Sequence, residues 1–545
     1  MEAKEFDLRR EPWIRVRAQD YTVREVSLTD VLLHAQDYVD LAGEMPTQDA
    51  AMLRLLLAVL HTVFSRVDAN GVPAPFEETE DALRRWGELW QLGNFPEQPI
   101  RAYLDTWQDR FWLFHPERPF WQVPEAKIGT EYTASKLNGE LSESSNKLRL
   151  FTAYTGEGKA GLNYAQAARW LLSVNGYDDT SAKPKGKGLP SVGAGWLGKL
   201  GYLQAQGKNL FETLMLNLTF LQDGRKLWGE DRPCWELEVP RSAERTEIAL
   251  PDNPAQLLTL QSRRLLLCRE GQRVTGFTLL GGDFFPRENA FTEQMTVWRD
   301  PDPKKSKKTG TPSFVPSRHD PARQFWREFP AVFCDEGESV WKPGVVRWIE
   351  TLQSSEVRLL DRRRMISFRI SGMKYGDKDF FVNDAFCDAL TFQAELLESL
   401  KKKWRVMITN EIGTCEQAAK TVGRLAQNLA LAAGGGSDTG VEAARTQFYF
   451  MVDQPFRRWL QGIDPEGEQE PNDKAAEWQA QAYGIAARLG RQMVEQAGSA
   501  AFVGHRIPDE KNKEKSYLYT APQAYNRFLC DLRKLYPKQD EGGTA

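Results

Sequence analysis

The chain has 545 residues, enough for two to four domains at roughly 150 residues each and for a sizeable buried core. Hydrophobic residues make up 41% and charged residues 27%, ordinary globular values that exclude a disordered, collagenous or coiled-coil chain. Lys plus Arg total 71 against 75 for Asp plus Glu, a formal net charge of -4, so any binding of nucleic acid must come from a local basic surface.

The N-terminal residues MEAKEFD lack the apolar stretch of a signal peptide, and the longest apolar run, Leu55 to Leu60, is too short to span a bilayer. The expectation is a soluble, cytoplasmic protein with no membrane partner. Leucines at helical spacing predict a core helix over Ala50 to Phe64, and Asn163 to Val174 predicts another, with Asn163 as N-cap and Gly176 as stop. Arg263 to Cys268, Val274 to Leu280 and Arg364 to Ile370 read as strands, the last with its alternation ending at Gly372. After about Asn383 the pattern turns helical, over Asp384 to Trp404, Glu416 to Ala433, Val441 to Gln461 and Lys474 to Gln496. Such a series predicts an antiparallel four-helix bundle, with Ala521 to Leu535 packed on it and a frayed tail from Asp540. The expected fold class is α+β: a large mixed α/β globular domain over residues 1–382, then the bundle over 383–545.

Two stretches stand out by charge. Thr180 to Phe211 holds five lysines, seven glycines and no acid, which suits a phosphate backbone. Glu356 to Lys378 holds seven basic residues against three acids and ends in the turn GMKYGDK. Lys304 to Lys308 adds a third cluster, expected on a surface loop.

Motifs of catalysis do not hold up in context. Gly193 to Lys199 (GAGWLGK) satisfies G-x-G-x-x-G, but no apolar strand precedes it, Gly201 and Gly207 interrupt the segment after it, and Leu200 stands where a Mg²⁺-binding Ser or Thr would be needed. His319-Asp320 lies between Pro316 and Pro321, on an expected surface loop, and His61 sits in an apolar helix as a core histidine. Asp178-Asp179 reads as a helix-ending turn rather than half of a two-metal site. The cysteines, at 234, 268, 334, 387, 415 and 530, form no C-x-x-C. No catalytic residue, metal or cofactor is therefore expected.

Five segments in order resemble one family. They are Phe6 to Ile14 (FDLRREPWI), Arg118 to Val123 (RPFWQV), Leu162 to Trp170 (LNYAQAARW) with Tyr177-Asp178, Gly193 to Gly201 (GAGWLGKLG) and Glu293 to Arg299 (EQMTVWR). Together they are similar to the CasA-type large subunit of the type I-E CRISPR surveillance complex, Cascade. The resemblance implies a noncatalytic subunit that contacts the protospacer-adjacent motif in double-stranded target DNA and helps open the duplex. It also implies a docking surface for the helicase-nuclease, while guide pairing reads the remaining sequence. Implied partners are the backbone, small helical, guide-end-capping and guide-processing subunits that carry the guide RNA.

By the same resemblance, Phe151, Tyr154, Gly156, Gly158 and Lys159 belong to a loop that anchors the subunit near the guide. Lys183, Lys185, Gly186, Lys187, Gly188, Gly193 and Gly195 belong to a glycine loop facing DNA. Lys374, Tyr375, Asp377 and Lys378 take the place of a strand-separating hairpin tip, without the glutamine found in well-studied members. A minor-groove lysine near Gly281 to Phe285 and the paired-cysteine zinc site of some relatives are both missing. The alternative is a nucleotide- or metal-dependent nucleic-acid enzyme built on Gly193 to Lys199 and His319-Asp320.

Overall fold

A computed structural model describes residues 4–139, 161–179, 189–310, 312–334, 341–380, 382–508 and 516–537. The leucine-rich helix runs over Pro46–Phe64, starting at a proline whose fixed φ and missing N–H suit the first helical position. Nearly every side chain on it is buried, so it is a core helix on all faces rather than an amphipathic one. Burial holds its His61 neutral, with a pKa pushed down to about 3, and Phe220 meets the imidazole edge-on.

Tyr164–Tyr177 packs beside that helix. Asn163 caps it as expected: its side chain accepts from the Gln166 N–H at 2.8 Å, and Gln166 accepts in return from the Asn163 N–H at 3.1 Å. Gly176, expected as the stop, is instead inside the helix. A Cβ there would lie 2.5 Å from Leu197 Cδ1, so the glycine is needed to let Leu197 approach.

The sheets are small. Ile14–Ala18 lies between Val23–Val26 and Tyr38–Leu41, and Arg273–Gly281 lies between Arg263–Glu270 and Thr130–Thr133. A third sheet has Met365–Tyr375 at its centre, between Tyr202–Gln206 and Val382–Gln393. Two expectations fail here. The strand does not stop at Gly372, which continues in it and leaves room for Phe386, 2.9 Å from a hypothetical Cβ. Val382–Gln393, part of the expected helix Asp384 to Trp404, is a strand, because pairing with Met365–Tyr375 satisfies its backbone and overrides its local pattern.

The chain divides into two compact units, one of residues 1–323, 331–361 and 366–389, the other of residues 324–330, 362–365 and 390–545. The boundary expected near Asn383 falls within the strand Val382–Gln393. In the second unit the long helices are Lys402–Ala432, Val441–Gln461, Pro471–Gln496 and Ala521–Leu535, the first touching each of the others. The helix expected from Glu416 thus starts at Lys402. Trp326 is built into this unit, stacked 4.2 Å from Phe456 and donating through Nε1 to Asp453 at 3.0 Å. Lys304 to Lys308, expected on a loop, lie on the short helix Pro303–Thr309 capped by Asp302. Among the described residues, no helix is long and apolar enough to cross a membrane.

Candidate nucleic-acid interface

Two of the stretches singled out by charge meet in the first unit. Helix Tyr164–Tyr177 ends in Asp178-Asp179, which are buried rather than forming a plain surface turn. Arg263, at the start of its strand, donates through Nε to Asp178 Oδ2 at 2.7 Å. Its terminal nitrogen also donates to the carbonyls of Asp178, Asp179 and Gly193, at 3.0, 3.1 and 2.7 Å. One guanidinium therefore ties together the two ends of the segment between Asp179 and Gly193. Lys136 neutralises the second carboxylate, 2.6 Å from Asp179 Oδ2. Charges this deeply buried are tolerable only when paired and hydrogen-bonded, and here each carboxylate has a cation.

The glycines of GAGWLGK serve close packing. Gly193 has φ +64°, and a Cβ on Gly195 would sit 2.3 Å from the Gly176 carbonyl. A Cβ on Gly198 would sit 2.1 Å from the Tyr375 hydroxyl. Trp196 donates to Glu293 at 2.8 Å, and Glu293 closes a buried bidentate pair with Arg54, both contacts at 2.9 Å. The phrases GAGWLGKLG and EQMTVWR thus meet at one buried carboxylate, which pairs with Arg54 of the core helix.

The hairpin turn rests on the same ground. Tyr375 Oη donates to the Tyr177 carbonyl at 2.5 Å, and the Arg318 guanidinium lies 4.7 Å from its ring centre. Arg318 also donates to the Gly198 carbonyl at 2.6 Å and forms a bidentate pair with Asp379 at 2.7 and 2.9 Å. Tyr375, expected as part of the hairpin tip, is therefore turned inward as the anchor of the turn. Burial raises its pKa, so the hydroxyl keeps its proton. Lys374, Asp377 and Lys378 are exposed as expected, with Lys378 in the left-handed region at φ 52°, and Phe380 beside them is exposed too.

Gly193 and Gly195 lie at one foot of the glycine loop. Lys183, Lys185, Gly186, Lys187 and Gly188 fall outside the described residues, as do Phe151, Tyr154, Gly156, Gly158 and Lys159. Sequence reasoning missed Arg263 and Arg318, which organise the site, and the only local hint was a pair of arginines opening the apolar run RRLLLC. His319 is buried rather than on the surface, with Nε2 3.2 Å from the Tyr202 carbonyl. Among the described residues no group of His, Cys, Asp and Glu is arranged to hold a metal.

Known proteins match this chain along most of its length. The family model of CRISPR-associated protein Cse1 matches residues 7–489. The curated CRISPR-associated protein CasA/Cse1 of Thermus thermophilus is 32% identical over 341 residues, covering 62% of this chain and 62% of that protein. The crystal structure of Thermobifida fusca Cse1 matches with a TM-score of 0.82 and 30% identity, covering 98% of each chain. A chain of a CRISPR RNA-guided surveillance complex shares the fold, with a TM-score of 0.69 at 16% identity, covering 97% of this chain and 99% of that one. The chain belongs to the Cse1 family of CRISPR-associated proteins, the CasA type to which its five ordered motifs point.

Proposed function

We propose that the protein is the noncatalytic large subunit of an RNA-guided type I-E surveillance complex. In this reading it recognises the protospacer-adjacent motif in double-stranded DNA, helps open the duplex beside it, and offers a docking surface to the helicase-nuclease. Its partners are the guide RNA-carrying backbone, small helical, guide-end-capping and guide-processing subunits. Family membership and the fold shared with a surveillance-complex chain support the assembly. One observation carries the DNA role: the foot of the glycine loop and the hairpin turn, chosen separately for their basic residues, are joined through Tyr375 and Arg318. Guide pairing reads most of the target, so the protein needs only backbone contacts and a few base edges at one place.

The turn works as a wedge in this reading because a braced strand can hold a short tip against a base step. Unstacking one step costs a few kcal/mol, offset by contacts to the opened strands. Lys374 and Lys378 serve the phosphates, and the exposed Phe380 ring is the apolar surface at the tip. The test is a reconstituted complex carrying Lys374→Ala, Asp377→Ala and Lys378→Ala with Tyr375 left intact. Assembly and single-stranded target binding should persist, opening of duplex target should fall sharply, and a pre-opened bubble should restore it. Equal loss on single-stranded and duplex targets would overturn the wedge.

A further inference from the structure

The lysine that completes GAGWLGK is used by none of the contacts above. Lys199 ends the single turn Leu197–Lys199, with its Nζ 3.9 Å from where a Gly193 Cβ would stand. It is half-buried, and while its backbone N–H donates to the Trp196 carbonyl at 3.0 Å, its ammonium has neither a hydrogen bond nor an ion pair among the described residues. Arg245 reaches the same foot from another segment, donating to the carbonyls of Pro190 and, at 3.5 Å, Ser191, with its guanidinium 4.0 Å above the Phe284 ring. Arg287 stands exposed just beyond Phe285, whose ring lies 4.6 Å from that of Trp196.

The charge around Lys199 is lopsided. Burial first, and then the guanidiniums of Arg263, Arg245, Arg287 and Arg318, push its pKa down to about 8. Two of these are already neutralised, Arg263 by Asp178 and Arg318 by Asp379. Glu247 acts on Arg245 without pairing with it among the described residues. Lys199 and Arg245 meet at the loop foot, and the unneutralised Arg287 acts on Lys199 from the segment beyond Phe285, so that the three cations crowd at a cost that an anion would relieve.

We propose that Lys199, Arg245 and Arg287 form a seat for one phosphodiester oxyanion of the target duplex, beside the foot of the glycine loop. The proposal rests on the DNA-binding reading above and assigns it a specific anchor point. Arg245 and Arg287 supply guanidinium donors and Lys199 a point charge, a combination suited to a phosphate oxygen pair. Because the ammonium is partly deprotonated near pH 8 when the seat is empty, the arriving phosphate draws a proton onto it. Binding therefore weakens as pH rises past about 8.

The test measures affinity of the full chain for a short DNA duplex by fluorescence anisotropy, from low to moderate salt and from pH 7 to 9. The variants are Lys199→Met, Lys199→Arg and Arg287→Ala. Each neutralising change should lower the log-log salt slope by about 0.9 and weaken binding several-fold at moderate salt. Lys199→Arg should bind like the parent at pH 7 and lose the parent's decline toward pH 9. If the parent binds duplex with a clear salt slope while Arg287→Ala and Lys199→Met match it, the seat is wrong and the DNA-binding reading stands. If the parent binds no duplex at all, both fall. Arg287 is exposed, so its variant reports even if Lys199→Met fails to fold.

Discussion

Arg263 Nε donates to Asp178 Oδ2 at 2.7 Å, and both side chains are sealed from solvent. Removing one member of such a pair strands the other in a low-dielectric setting. Arg263→Met should therefore destabilise the first unit by about 3–5 kcal/mol. Urea unfolding followed by tryptophan fluorescence measures this, and a loss below about 1 kcal/mol, the size expected of an exposed pair, would show that the pair does not hold the loop ends.

The Arg54–Glu293 pair makes a second such test. Glu293→Gln keeps the shape and one acceptor for Trp196 but leaves Arg54 charged and unpaired at the centre of the core helix. The expected loss is about 3 kcal/mol. Adding Arg54→Met should recover part of it, and a double variant no better than the single would refute the pairing argument.

Tyr375 offers a graded series. Tyr375→Phe removes the hydroxyl that donates to the Tyr177 carbonyl, with its long contact to Met373 Sδ, and should cost about 1 kcal/mol. Gly198→Ala should cost more, because its Cβ would stand 2.1 Å from the same hydroxyl and force the turn to move. Thermal melts of the two variants give the order, and a reversed order would mean that Tyr375 is not fixed against Gly198.

Asp49 lies in the first turn of the core helix, where it accepts from the Gly43 N–H at 2.7 Å. Burial first, with help from Asp40 and Glu44 against Arg369, raises its pKa from 3.8 to about 7. Between those values the folded chain keeps a proton that the unfolded chain has released, so this group's contribution to stability falls as pH rises through the window. Asp49→Asn should remove that fall, gaining on the parent steadily from pH 4 to 7. Urea midpoints at pH 4.5, 6 and 7.5 measure it, and a constant difference would show that Asp49 does not titrate there.

Elements whose signals are local were legible in the sequence. Ala521–Leu535 appears at the expected residues because Thr520 caps it and its apolar period is regular. Val382–Gln393 was not legible, since what makes it a strand is its partner Met365–Tyr375 and not its own pattern. The site divides the same way. Basic composition marked the glycine loop and the hairpin turn, but their convergence depends on Arg263 and Arg318. Each of those is a single arginine whose partners lie far off in the chain, so no period or motif could announce it.

Arg318 holds Gly198, the Tyr375 ring and Asp379 at once, so a single side chain sets the separation between the loop foot and the hairpin tip. If both elements engage one duplex, that separation acts as a ruler. Successive base pairs on one strand are about 3.4 Å apart, and a braced tip cannot slide by that amount without breaking the Arg318 contacts. The base pair at which opening begins is then counted off by the protein from the point where the loop grips the backbone, before any guide nucleotide has paired.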